Sequence, residues 1–382
     1  MPHQEDFEVE RYMDDHENIV EYNIAETCCS SLSLNEVAEI SGNKFEFDYN
    51  MKFVYGAIKG SDRLRSLIAK MYSEDGISLD KDNVLITNGA IGANFLVAYA
   101  LAGPGDHIIS VAPTYQQLFS VPKMFGAEVS LLQLKEEDGF TPNLNDLKGL
   151  IRPNTKYIII NNPNNPLGSV IENSLLKKIV DIARLHDIHI LCDEVYRPLF
   201  HSCETPFSIT SIYGKGISTC SMSKAFSMAG TRLGWIVSQD KSLLSACASR
   251  RDYNTISISV IDDYIATYVL SNKDAILKHN IELCRGNLEF LTNWIDDNKD
   301  IVEFYNVPRG GSVCLVKLKN IPNCYDFSSW LAKTCKVLVV PGITFGVPGT
   351  IRIGYGNARK DLEAALPILS KAIKKWQNLN RS

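Results

Sequence analysis

Lys224 sits in the stretch CSMSKAFSMAGTRLGW, residues 220–235, among small side chains and ahead of Arg232. The apolar run ISTCS leads into this stretch and LGWIVS leads out of it. The lysine therefore occupies a short connection between buried elements. On an open loop it would be an ordinary surface lysine. Brought into a core, an ammonium must be paired or put to use. Partial desolvation lowers the pKa of a lysine and leaves a nucleophilic amine able to form a Schiff base. A ring cofactor held in that way makes further demands, each met by a residue type at a suitable place. A ring nitrogen kept protonated needs a buried carboxylate, and Asp193 follows the apolar run IHILC. A phosphate needs backbone N–H groups at a helix N-terminus, and Asn88, Gly89, Ala90 and Ile91 open the helix-like IGANFLVAYALA. Arg232 would complete that anion site. Asn165 and Tyr196 are donors for a ring hydroxyl, and Tyr115 offers an aromatic face for stacking.

The elements that must bring these groups together follow an alternating pattern. From about residue 83 to 240, short apolar runs alternate with helix-period stretches, which predicts a mainly parallel sheet with helices on both faces. The expected strands are VLITN, HIISVA, EVSLLQL, YIIINN, IHILCDE, ISTCS and LGWIVS. In ENSLLKKIVDIARLHD, Leu175, Ile179, Ile182 and Ala183 form one apolar helical face. Functional groups in an open α/β sheet gather at the C-terminal ends of strands. Asn88, Tyr115, Asn165, Asp193, Tyr196, Ser221, Ser223 and Lys224 all fall there. Gly89 and Gly92 do not make a GxGxxG fingerprint, which disfavours a nicotinamide dehydrogenase. Beyond the sheet, KDAILKHNIELCRGNLEFLTNWIDDN reads as a connecting helix. A second alternating region, GGSVCLVKL, KVLVVPG and TIRIGYG, follows it. The helical pattern of DLEAALPILSKAIKKW is interrupted by Pro367. The expected organisation is an N-terminal arm with part of a small domain over 1–48, a large cofactor-binding domain over 49–283 and a small C-terminal domain over 284–382.

A chain of 382 residues with 45% hydrophobic content is long enough for one large and one smaller domain. Its net charge of −5 argues against a nucleic-acid or anionic-membrane partner, and the short acidic start of the chain argues against a DNA-binding regulator. Small-molecule chemistry remains. The ten cysteines, including the adjacent Cys28 and Cys29, have no CxxC spacing and read as reduced core residues of an intracellular protein. No metal site is expected; His186 and His189 are read as structural. The start, MPHQEDFEVERYMDDHEN, is acidic and carries no apolar leader, and no run has the length of a membrane span. A cytoplasmic protein is expected.

In their order and spacing, YGAIKGSDRLRSLIA, ITNGAIGAN, APTYQQL, NNPNNPLG, CDEVYRPLF, SMSKAFSMAGTRLGW, PRGG, PGITFG and IRIGYG resemble the fold type I pyridoxal-phosphate enzymes of the class I/II aminotransferase family. The resemblance covers essentially the whole chain. It implies an α/β fold, with a large domain built on a mainly parallel mixed sheet flanked by helices and a smaller α/β domain. It also implies pyridoxal 5'-phosphate bound to Lys224 as a Schiff base, with the same lysine as general acid and base. Gly89, Ala90, Ile91, Ser221, Ser223 and Arg232 would hold the phosphate, and Tyr55 would reach the phosphate of a neighbouring subunit, implying a homodimer with shared sites. Arg352 in TIRIGYG would grip the α-carboxylate of an amino acid substrate, with Asn165 and Ala25 beside it. Two features depart from the aminotransferase pattern: Leu167 in NPLG, where threonine is common, and NIAET at 23–27, where a glycine-containing segment is common. Both, with GAIGAN at 89–94, resemble 1-aminocyclopropane-1-carboxylate synthases. The lysine loop resembles the aminotransferase version. Transfer of an α-amino group to a 2-oxo acid is therefore the expected reaction. The alternative is a β- or γ-eliminating carbon–sulfur lyase or a cyclising synthase. Arg250 and Arg251 close a helix-like segment, where positive charge suits the C-terminus.

Overall fold

The structure, a computed structural model, describes residues 4–73 and 76–379. Each expected strand of the large sheet is present: β1 (Val84–Thr87), β2 (His107–Ala112), β3 (Glu128–Gln133), β4 (Thr155–Asn161), β5 (His189–Asp193), β6 (Gly216–Ser221) and β7 (Gly234–Ser238). Their order is β1-β7-β6-β5-β4-β2-β3. Only β7 runs antiparallel to its neighbours. β2 and β6 are buried along their whole length, as a sheet covered by helices on both faces requires, whereas the edge strand β3 is half exposed. The helix Asn173–Leu185 covers one face with Leu176, Ile179, Val180, Ile182 and Ala183. Register carries the site: Asn161 pairs with Asp193, and Asp193 with Thr219. Gly234 pairs with both Ser221 and Thr87.

A second sheet contains β8 (Val302–Phe304), β9 (Val313–Leu318), β10 (Val340–Pro341) and β11 (Thr350–Gly354), all antiparallel in the order β10-β11-β9-β8. The early chain joins it. Tyr22–Asn23 pairs in parallel with Val337–Leu338, and the Gly354 N–H donates to the Ile24 carbonyl at 2.8 Å. The long helix Lys273–Asp297 is present as read. Pro367 does not break the last helix, which runs Arg359–Leu379. The proline and Glu363, whose carbonyl loses its partner, both lie on the exposed face, which leaves that carbonyl open to solvent, while Leu362, Leu366 and Leu369 hold the other face in the core. Among the described residues no helix is long and apolar enough to cross a membrane.

Candidate active site

A cavity of about 500 Å³ opens where the C-terminal ends of the parallel strands meet the early chain and β11. At one end lies the turn into the helix Gly89–Leu101. Gly89 takes φ +69°, and the first-turn residues Ala90 and Ile91 line the cavity. First-turn N–H groups have no partner within a helix, so this end presents donors to an anion. Gly234 is what lets the turn come so close. A Cβ there would stand 2.3 Å from the Gly89 carbonyl carbon and 2.6 Å from the Ala90 nitrogen. Arg232, itself at φ +46°, donates to the Ser223 Oγ at 3.4 Å and to the Ala229 carbonyl at 3.0 Å. The Ser223 N–H donates to Ser221 Oγ at 3.2 Å, so both serines and Arg232 surround one space.

Asp193 lies in the middle, 3% exposed. Its carboxylate accepts from Asn94 Nδ2 at 2.9 Å and from the Val195 N–H at 3.1 Å, and Thr219 Oγ1 donates to Asn94 Oδ1 at 2.6 Å. Burial pushes the Asp193 carboxyl up to about 6 against these hydrogen bonds. Such a group gains from a nearby cation.

Lys224 Nζ donates to Thr27 Oγ1 and reaches Cys28 Sγ at 3.5 Å. Its pKa differs from the sequence expectation. Burial lowers it as reasoned, but Cys28, Tyr196 and the Glu26 carboxylate outweigh burial and the net direction is upward. These partners lie far away in sequence, so the local pattern could not show them. Tyr196 is buried beside Lys224, and its hydroxyl has no hydrogen-bond partner. Tyr115 lines the cavity and donates its hydroxyl to Glu10 at 2.8 Å.

Arg352, 3% exposed, closes the opposite end from β11. It donates to Asn165 Oδ1 at 3.3 Å and to the Ala25 carbonyl at 3.0 Å, lies over the Phe345 ring, and keeps an unpartnered Nε. The cavity thus collects Ala25, Ala90, Ile91, Tyr115, Asn165 and Asp193 with Tyr196, Ser221, Ser223, Lys224, Arg232 and Arg352. Gly89 shapes the turn without lining the cavity. Tyr55 is 78% exposed and takes no part in its own chain's cavity. Arg251 is wholly buried and donates to the carbonyls of Ile58 and Ile86, which makes it a fastener of backbone. Sequence reasoning passed over Glu26, Thr27, Cys28, Asn94 and Asn161, along with a face of the helix Glu8–His16. The glycines of IRIGYG were the available signal for the early chain. A Cβ on Gly354 would lie 1.8 Å from the Glu26 carbonyl oxygen, so only glycine lets that segment pass.

A phosphate-bearing pyridine aldehyde fits these groups: a donor-rich turn with an arginine, a buried carboxylate with raised pKa, an orphan tyrosine hydroxyl and one lysine amine. The model of the aminotransferases of class I and II matches residues 39–369. The chain belongs to that family. It is a pyridoxal-phosphate-dependent aminotransferase acting on amino acids. A solved pyridoxal-phosphate-dependent aminotransferase from Streptococcus suis is 38% identical, superposes with a TM-score of 0.92 and shares 97% of this chain and 98% of its own. The aspartate aminotransferase of Pyrococcus horikoshii is 27% identical over 82% of this chain and 81% of its own. The capreomycidine synthase of Streptomyces vinaceus is 26% identical over 85% of this chain and 82% of its own.

Proposed function

We propose that Lys224 holds the cofactor and carries the proton that transamination moves, with Asp193 and Arg352 fixing the two reactants around it. The observation that carries this reading is the meeting of one lysine amine, one buried carboxylate and one buried arginine in a single cavity. When bound, pyridoxal phosphate supplies an electron sink that stabilises negative charge at the substrate Cα. Asp193 keeps the ring nitrogen protonated, and its raised pKa is relieved by that positive charge. The turn that Gly89 shapes presents the N–H groups of Ala90 and Ile91, which with Ser221, Ser223 and Arg232 hold the phosphate. Tyr196 and Asn165 donate to the ring oxygen, and Tyr115 stacks on the ring. Arg352 binds the substrate α-carboxylate as a fork, helped by Asn165 and the strand of Ala25. Lys224 Nζ would remove the Cα proton as general base and return it as general acid.

Tyr55 would act on a second copy. Phe53, Val54 and Tyr55 stand exposed on one short segment, with Tyr253 exposed elsewhere, a pattern that a homodimer would cover and that supports shared sites. Ten free thiols suit a reducing cytoplasm.

The test is the absorption spectrum of purified protein before and after single amino acids, without any 2-oxo acid. A visible band absent from Lys224→Ala, converted stoichiometrically to an ultraviolet species, supports the proposal. Similarity to a capreomycidine synthase, a synthase and not a transferase by its name, fits the second reading, elimination or cyclisation. A band that persists while ammonia, a thiol or another leaving group accumulates over many turnovers would establish it. A colourless protein that cannot be reconstituted overturns both.

A further inference from the structure

We infer that the mouth of this site selects an L-amino acid whose side chain ends in a cation, an amine or a guanidine, through the carboxylates of Glu10, Asp14 and Glu17. The inference rests on the assignment of Lys224, Arg232 and Arg352 given above.

The acidic start of the chain is a built part of the cavity. The helix Glu8–His16 is seated on the segment that carries Tyr115. The Glu8 N–H donates to Gln116 Oε1 at 2.9 Å, Gln116 Nε2 donates to the Asp6 carbonyl at 2.8 Å, and the rings of Phe7 and Tyr115 meet at 4.9 Å. Val9, Tyr12 and His16 are its buried residues. Glu10, Met13, Asp14 and Glu17 recur at the i, i+3, i+4, i+7 spacing of a single helical face, and that face lines the cavity.

The charges in the cavity do not balance. Five carboxylates line it, Glu10, Asp14, Glu17, Glu26 and Asp193, against three cations, Lys224, Arg232 and Arg352. Arg232 is taken by phosphate and Asp193 by the ring nitrogen. Glu26 is held by the N–H groups of Thr27 at 2.7 Å and Cys28 at 3.2 Å and faces Lys224. Arg352, buried with a free Nε, is aimed into the cavity for the α-carboxylate. Three carboxylates at the mouth are left: Glu10 accepts from the Tyr115 hydroxyl and is close enough to Arg352 to stabilise its charge, while among the described residues Asp14 and Glu17 form no ion pair. No lining cation remains for a second carboxylate on the substrate. Val9 and Met13 line the same wall, so an aliphatic stem running from Arg352 towards the carboxylates has apolar surface to cover. A cationic end group gains attraction there, a neutral one gains none, and a carboxylate is repelled.

Three carboxylic acids without an α-amino group test this on the holoenzyme, because they share the Arg352 anchor and cannot react: δ-guanidinovalerate, valerate and glutarate. Isothermal titration should rank them in that order, with δ-guanidinovalerate at least about 10-fold tighter than valerate at low ionic strength. Salt should narrow the gap. The double substitution Glu10→Gln with Asp14→Asn should bring δ-guanidinovalerate close to valerate, and Asp14→Lys should move the preference towards glutarate. These side chains are exposed at the mouth, so both variants are expected to fold. Equal binding of δ-guanidinovalerate and valerate in a protein that shows the Lys224-dependent band overturns the inference alone. A protein without that band overturns the reading of the site, and the inference falls with it.

Discussion

Gly234→Ala adds one methyl group at the point where the structure has least room for it. The new Cβ would stand 2.3 Å from the Gly89 carbonyl carbon, 2.6 Å from the Ala90 nitrogen and 2.7 Å from the Cys220 carbonyl oxygen, where ordinary contact begins at 3.4 Å. The turn into the helix Gly89–Leu101 must therefore recede by about 1 Å, from the difference between 3.4 and 2.3 Å. All three neighbours are backbone atoms, and Gly234 is paired on both sides, so no side chain can swing away. Overpacking of this kind costs roughly 1–3 kcal/mol in stability, and the fixed surroundings place this case at the upper end. The effect on the cofactor should be larger. Hydrogen bonds lose most of their strength when lengthened by about 1 Å. Two charge-assisted bonds from the turn to a phosphate are worth roughly 3–6 kcal/mol together, a weakening of about 10²- to 10⁴-fold.

The assay is a titration of the cofactor-free protein with pyridoxal phosphate, followed by absorbance, beside urea unfolding of the same preparation. Gly92→Ala is the control. Its Cβ would meet only side-chain carbons at 3.7 and 3.9 Å, inside the same helix, so it should be neutral or up to about 1 kcal/mol stabilising. If Gly234→Ala binds the cofactor within about threefold of the parent and unfolds at the same urea concentration, the turn is not the phosphate cradle and the geometric reasoning is refuted.

Three further outcomes follow from single residues. Asp193 has its folded pKa raised from 3.8 to about 6, so its protonated form favours folding and that contribution is lost as pH rises through this window. Between pH 4 and 7 the stability of cofactor-free Asp193→Asn, measured by urea unfolding, should therefore gain roughly 2 kcal/mol on the parent, while cofactor affinity falls; a constant gap across pH would contradict the assignment. Arg352→Lys keeps the charge and loses the fork, and should raise KM for the amino acid about 10- to 100-fold with a smaller change in kcat; an unchanged KM would remove Arg352 from the carboxylate site. Arg251→Met leaves the carbonyls of Ile58 and Ile86, the second of them buried, without their donor and should cost roughly 1–3 kcal/mol in urea unfolding, a loss too small to measure being the contrary result.

Most of the residues proposed to hold the cofactor could be placed at one end of the sheet from the sequence, because backbone geometry makes that part of the cavity. Apolar runs that each end in a polar residue give the strands of the large sheet, and parallel register then brings Asn161, Asp193 and Thr219 side by side. Gly89 and Gly234 are needed by the turn itself, whatever the substrate. Two local signals misled for identifiable reasons. Pro367 sits on an exposed helix face where its missing hydrogen bond costs little, and a core face outweighs it. The pKa of Lys224 goes up because Cys28, Tyr196 and Glu26 face it, and the nearest hydrogen-bond partner, Thr27, is 197 positions away in the chain.

The half that faces the substrate obeys a different constraint, and this explains why it was hidden. Glu10, Asp14 and Glu17 have the spacing of a solvated helical face, and nothing in their own segment says otherwise. What gives them a function is where the chain goes next. Residues 24–28 are drawn against β11 by the bond from Gly354 to Ile24, and Gly354 and Gly356 leave space for the carbonyls of Glu26 and Cys28, at 1.8 and 2.9 Å from where their Cβ atoms would be. Those glycines announce that some backbone passes there without naming which one. Cofactor recognition leaves motifs because the same atoms must always be held in the same way. Recognition of a side chain needs only complementary charge at the right depth, which any acidic helix can supply once the fold carries it to the mouth.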